Sequence, residues 1–383
     1  MHNLSIALSS IIKLFLILLT ILSLTYNSYL DFYKGIYLTD LFILIISFIS
    51  LLTNGLNKKS VIISAGSIGY LLISYFLMIN RDLNITYFDT GLFLDYILIN
   101  KSIYYMAILP FLVTSSFVNK KDIKQIINFL LIVFMFKYFS QKFIFNEDRP
   151  WLFTENNFEL VFLILVFYLY YILNNSYSNL QLIALFSIVF ISGSRSGMAC
   201  LAFMICMIYL YSLKINLRSI LRVFLIILVT SISLYLFISR LEGKNVESID
   251  RIVFFNLFLR EINNWDLINY LFGTYPITPL SSFTCKYLSF YSELFSHYNN
   301  NTCYSPVLHA YNLRVIYDFG FLGLLAIYSC IIYLLRLKLY SWKQIIIIVG
   351  IIFITGLSVS ALNSTFVALS FILYLSANRN HEN

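Results

Sequence analysis

Charge is what this chain has least of. Only 11% of its 383 residues are Asp, Glu, Lys or Arg, 60% are hydrophobic, and the mean hydropathy is +0.82. An ordinary soluble domain is about 25% charged, so a solvated globule is excluded. Histidine is scarce too. His2, His297, His309 and His381 are the four present, none at metal-ligand spacing, and neither HExxH nor CxxC occurs. No GxxxxGK[ST] loop is present, which argues against an ATP-driven pump in one chain. No DxD pair of the kind that holds a metal–nucleotide donor is found. From these absences neither a metal nor a cofactor is expected.

What the chain has is apolar runs. A membrane span needs about 20 predominantly apolar residues. Twelve segments approach that length: 13–30, 36–53, 61–79, 102–118, 125–144, 158–174, 178–192, 198–213, 219–239, 315–335, 344–360 and 363–377. The expected fold is therefore all-α, a polytopic integral membrane protein of about twelve transmembrane helices forming one membrane domain over residues 1–383. The first run lacks a small-x-small cleavage site and reads as an uncleaved signal anchor.

Orientation follows from the basic residues. With a cytoplasmic N-terminus, the inner connections hold Lys58, Lys59, Lys120, Lys121, Lys124, Lys214, Arg218, Arg222, Arg336, Lys338, Lys343 and Arg379, opposed by Asp122 and Glu382. The outer ones hold Asp31, Asp40, Asp82, Asp89, Asp95, Glu147, Asp148 and Glu155. The formal net charge of +8 is thus a loop bias and calls for no nucleic-acid partner.

One interruption stands out. Residues 240–311 form a long, mostly polar outer (periplasmic) loop, of a length that usually carries function. Within it, Ile252 to Trp265 reads as a short helix resting on the membrane surface. Cys285 and Cys303 both fall in this loop, where an oxidising compartment permits a disulfide. The sequence gives no Cα separation, so paired and free thiols both stay open. Cys200, Cys206 and Cys330 lie in spans and read as packing residues.

Three stretches carry chemistry. In the tight outer turn Gly193-Ser194-Arg195-Ser196-Gly197, Arg195 opposes the positive-inside bias. It is either an interfacial arginine snorkelling to headgroups or a phosphate ligand, for which its planar fork is suited. Arg251 opens the loop helix, an unfavourable place for a cation, so it pairs with a neighbouring acid or meets an anionic ligand. His309 stands where the loop re-enters the membrane, with Asn312 and Arg314 within about a turn, and histidine is the natural neutral-pH general base.

Together these stretches resemble the O-antigen polymerase and O-antigen ligase family, the Wzy-type membrane glycosyltransferases. His309, Leu313, Asp318, Gly320 and Gly323 fall at the offsets of the family's pattern near the end of its long outer loop, although its Asn after His is Ala310 here. Ser192-Gly193-Ser194-Arg195-Ser196 is similar to the family's element before a span. Arg251, Trp265 and Leu271-Phe272-Gly273-Thr274 are similar to its R…W…fGxG region. Arg149, Glu155, Asn156 and Asn157 match an R…N element more weakly. The first half of the chain is alike only in hydropathy.

The resemblance implies a metal-independent, inverting glycosyltransferase of the bacterial inner (cytoplasmic) membrane with its site facing the periplasm. Its donor is a glycan on undecaprenyl diphosphate. Its acceptor is a second lipid-linked glycan for a polymerase, the preferred reading, or lipid A core for a ligase. Arg195 and Arg251 take the diphosphate and His309 the acceptor's proton, with Arg149, Glu155, Asn156, Asn312 and Arg314 as substrate-binding candidates. Membrane lipids are partners, and a chain-length regulator is left open. Two other classes remain. One is a transferase using a monophosphate-linked sugar with a carboxylate base, for which Asp31 or Asp40 is the best support. The other is a repeat-unit flippase or other transporter.

Overall fold

A computed structural model describes residues 2–25, 33–81, 90–153, 156–211, 250–299 and 301–379, and every regular element among them is helical. In chain order these are α1 (His2–Thr25), α2 (Tyr33–Asn54), α3 (Lys58–Arg81), α4 (Thr90–Ile99), α5 (Lys101–Ile108), α6 (Lys120–Phe139), α7 (Asn156–Asn174), α8 (Asn179–Ile191) and α9 (Arg195–Leu210). The outer segment then supplies α10 (Asp250–Glu261), α11 (Leu267–Phe272) and α12 (Ser282–Tyr287). The chain finishes with α13 (Tyr311–Leu337), α14 (Trp342–Gly356) and α15 (Thr365–Ser376).

Six stretches are long and apolar enough to cross a membrane: Ala7–Thr25, Ile36–Asn54, Lys58–Asn80, Lys120–Ile144, Asn156–Asn174 and Tyr311–Leu337. A seventh is a bent pair, α4 followed by Lys101–Leu112, folded through 70° at Asn100. The expectation of twelve spans is therefore corrected to six or seven among the described residues. The run 102–118 is one arm of the bent pair. The runs 178–192, 198–213, 344–360 and 363–377 form helices of only 10–17 residues, α8, α9, α14 and α15. The physical reason is local. Ser192-Gly193-Ser194 ends one short helix and caps the next, and Ser358, Ser360, Asn363 and Ser364 do the same between α14 and α15. Runs bounded so closely by polar breaks are too short for a full span. The run 219–239 lies outside the described residues.

The helix α7 runs through the centre, buried over almost its whole length. By contrast α1, α2 and α3 expose Leu14, Leu52, Ile62, Leu72 and Phe76 on a face suited to lipid. The helices α9 and α14 run antiparallel. Lys343 lies over the Tyr211 ring, Phe203 packs on Gly350, and Cys200 Sγ is 3.2 Å from Thr355 Oγ1. Continuing that antiparallel register places Arg195 at the end of the bundle where α14 finishes.

One end of the bundle carries the lysine-rich connections around Lys58, Lys120 and Lys338. There Lys338 Nζ donates to Ser115 O, Val118 bridges Ala377, and Thr114 holds the Gly55 turn beside Lys58 and Lys59. The helices α6, α8 and α14 all start at this end, each with a capping box: Asn119 with Asp122, Ser178 with Gln181, and Ser341 with Gln344. Lys120 and Lys121 occupy the first turn of α6 against its dipole, a small cost that the box offsets. Asp122 also receives Lys13 Nζ at 2.8 Å.

The opposite end carries the outer segment, which has its own small core of Phe254, Leu257, Phe258, Leu280, Leu288 and Leu308. Cys285 and Cys303 are bonded there, with Cα atoms 5.5 Å apart. The helix expected to rest on the membrane is α10; it turns Phe254, Leu257 and Phe258 into this core and leaves Phe255 and Leu259 exposed. The more exposed apolar surface belongs to α11, through Leu267, Ile268 and Phe272.

Candidate functional site

The outer segment is fastened to the bundle in two places. In the first, α13 breaks at Gly320, where φ is 68° and ψ −175°, and α11 ends at Gly273, where φ is 79° and ψ −159°. The two glycines are pressed together. A Cβ on Gly320 would stand 2.3 Å from the Leu271 carbonyl carbon, and one on Gly273 would stand 2.5 Å from Phe319 N. The carbonyl of Tyr317, freed by the break, accepts from Thr274 N at 2.9 Å and Thr274 Oγ1 at 3.1 Å. In the second, Asp95 of α4 is buried and accepts from Ser296 Oγ at 2.6 Å and His297 N at 3.0 Å.

Between these fastenings lies His309. It follows the 3-10 turn Ser305–Leu308, and its φ of 54° is uncommon for a residue with a side chain. Surrounding bonds hold it there. Its N–H donates to Pro306 O at 3.2 Å, and its carbonyl accepts from Ser360 Oγ at 3.2 Å. Its ring lies 5.4 Å from that of Phe254 and 4.9 Å from that of Tyr291. Phe254 is on α10, one turn after Arg251, so Arg251 shares the face that meets His309.

Ser360 is the junction. While donating to His309 O it accepts from Arg314 Nη1 at 2.7 Å. Arg314 is buried and reaches towards Leu98 O at the end of α4. Asp318, one turn further along α13, accepts from Ser305 Oγ at 2.5 Å. Arg195 opens α9 at the end of the bundle where α14 finishes. Beside it, Asn157 Oδ1 accepts from Ser194 Oγ at 2.6 Å and Ser196 Oγ at 3.1 Å, and Asn156 Nδ2 donates to Ser192 O. The R…N element and the Gly193–Gly197 turn are thus neighbours.

The remaining candidates divide. Asn312 bonds to Phe353 O through Nδ2 and to Tyr328 Oη through Oδ1, which ties α13 to α14 and accounts for its burial by packing. Arg149 is exposed on the loop before α7. Glu155 and Asp31 lie outside the described residues. Asp40, grouped by sequence with outer-connection acids, is instead in α2. It pairs with Lys101 Nζ at 2.6 Å and accepts from Tyr105 Oη and Thr365 Oγ1.

Sequence reasoning passed over several of these groups. Glu159 is fully buried in α7 and accepts from Leu152 N at 2.7 Å, Phe153 N at 2.6 Å and Tyr138 Oη, fixing the loop that carries Arg149. An acid inside an apolar run was the signal for it. Asn100-Lys101, just before the run 102–118, and the serines after Gly356 were signals of the same kind.

Among the described residues no group of three His, Cys, Asp or Glu stands where it would hold a metal ion. Chemically, the cluster offers an imidazole in an aromatic recess with guanidinium groups around the same end of the bundle. No family model, no curated protein and no solved structure matches this chain.

Proposed function

We propose that the chain is a polysaccharide repeat-unit polymerase of the bacterial cytoplasmic membrane, moving a glycan from undecaprenyl diphosphate to a lipid-linked acceptor glycan on the outer face. The observation that carries the reading is the placement of His309: its carbonyl is bonded to Ser360, its ring is held against α10, and arginines from three separate stretches stand at the same end of the bundle. That the lysine-rich connections around Lys58, Lys120 and Lys338 lie at the other end supports the orientation.

In this reaction the acceptor hydroxyl oxygen bonds to the anomeric carbon as the carbon–oxygen bond to diphosphate breaks. The hydroxyl proton passes to the His309 imidazole. The leaving diphosphate keeps the electron pair, and Arg195 and Arg251 neutralise it. Attack by an external hydroxyl opposite the leaving group inverts the anomeric centre. Asn157, through Ser194 and Ser196, sets the turn that presents Arg195.

Transfer by the purified protein from a lipid-diphosphate donor tests this. His309→Ala is expected to abolish transfer while donor binding persists, and Arg195→Lys or Arg251→Lys to fail nearly as badly as alanine, since lysine lacks the bidentate fork. Full activity of His309→Ala would overturn the base assignment. A lipid-linked acceptor against a lipid A core acceptor separates polymerase from ligase.

A second reading, a repeat-unit flippase, draws support from the bent α4–α5 span with the Lys101–Asp40 ion pair at its break, because transporters build sites on broken helices. Translocation of a lipid-linked glycan in vesicles, without transfer, would select it.

A further inference from the structure

We propose that the crook of the bent α4–α5 span is a binding seat for an oxyanion, a phosphate or carboxylate group, with Arg314 as its charged ligand. Arg314 is only 4% exposed. A guanidinium has five N–H donors and no acceptor. Here Nη1 serves Ser360 at 2.7 Å, Nη2 reaches Leu98 O only at 3.5 Å, and the buried Nε meets no acceptor among the described residues. No described carboxylate is within ion-pair distance of it. Asp318, the acid one turn away on the same helix, accepts from Ser305 and interacts with the guanidinium through its charge, but makes no direct ion pair with it. A buried cation is costly unless an anion or a full set of acceptors compensates it. The contact with Leu98 O at the end of α4 meets part of that need, as helix C-termini favour cations.

The surroundings supply further hydrogen-bonding groups. Asn100 Oδ1 is buried without a bonded partner, and Ser102 Oγ and Tyr311 Oη, also buried, have no partner beyond one another. Asn363 brings them to one place, accepting from Ser102 N at 2.9 Å and donating to Leu98 O at 3.2 Å. The Tyr311 hydroxyl stands beside that of Ser102. Two hydroxyls and the free guanidinium edge suit the oxygens of an oxyanion, while Asn100 Oδ1 would accept from a hydroxyl on the same ligand. Ser360 links this seat to the His309 carbonyl, so occupancy is felt at the backbone of His309. The proposal does not depend on glycosyl transfer and stands or falls separately.

The test uses the full-length protein in phosphatidylcholine nanodiscs, titrated with inorganic diphosphate while the unfolding midpoint is followed. A saturable rise is expected, also in an Arg195→Gln, Arg251→Gln background, and Arg314→Gln should weaken it by about tenfold or more. If the anion is a lipid headgroup, phosphatidylglycerol nanodiscs should raise the midpoint instead, again only with Arg314 present. The Ser102→Ala, Tyr311→Phe variant keeps charge and apolar packing and should show a several-fold weaker response. No saturable response to either anion in the wild type overturns the proposal, as does an undiminished one in Arg314→Gln. Should Arg314→Gln fail to fold, an undiminished response in Ser102→Ala, Tyr311→Phe overturns it.

Discussion

Replacing Gly320 by alanine attacks the join between the outer segment and the bundle. The backbone there has φ 68° and ψ −175°, a region essentially reserved for glycine. Forcing a side chain into it costs about 1–3 kcal/mol. The new Cβ would also lie 2.3 Å from Leu271 C and 2.4 Å from Phe272 N. Both are backbone atoms, so no rotamer change relieves the clash and α11 must move away. That movement breaks the two bonds from Thr274 to Tyr317 O, each worth about 1 kcal/mol. The expected loss is therefore about 3–5 kcal/mol. Gly273→Ala should cost a similar amount from the other side of the contact. Once one substitution has pried the pair apart the second has less to break, so the double variant should fall well short of additivity. Denaturant unfolding of the four proteins in detergent measures this cycle. A wild-type midpoint for Gly320→Ala, or full additivity in the double variant, would refute the reasoning.

Three further outcomes are expected. Replacing Cys285 and Cys303 together by serine should destabilise the outer segment by about 3 kcal/mol on the chain-entropy model, and reductant should lower the wild-type midpoint but not that of the variant. Glu159→Ala strands two buried backbone N–H groups and the Tyr138 hydroxyl, so a loss of about 3–5 kcal/mol is expected in the same unfolding assay; an unchanged midpoint would show that the loop before α7 does not need it. Burial, with a smaller contribution from Arg379, pushes the Lys338 ammonium down from 10.5 to about 8. The folded state then sheds this proton before the unfolded state does, so stability should rise as pH climbs from about 8 towards 10.5. That slope should flatten in Lys338→Met.

Much of the architecture could be read directly from residues. The apolar runs ending in lysine turns marked the helices and the shared basic end, because hydropathy and loop charge are local properties. The stretch around His309 was legible for a related reason: a histidine, an arginine and closely spaced glycines at a membrane re-entry are conspicuous against so apolar a background. The span count failed because runs that stop at Ser192 to Ser194 and at Ser358 to Ser364 were counted as spans, although they form helices of only 10–17 residues.

Composition and order along the chain thus determined that this is a helical, multi-span protein with one long polar interruption, because lipid leaves a backbone few other ways to satisfy its hydrogen bonds. They did not determine that Ser360 meets both His309 and Arg314, that Gly273 interlocks with Gly320, or that Asp40 pairs with Lys101. Those contacts join residues from different helices. Whether a buried polar group is structural or available for chemistry depends on which partners the packing delivers to it, and only the tertiary structure decided that.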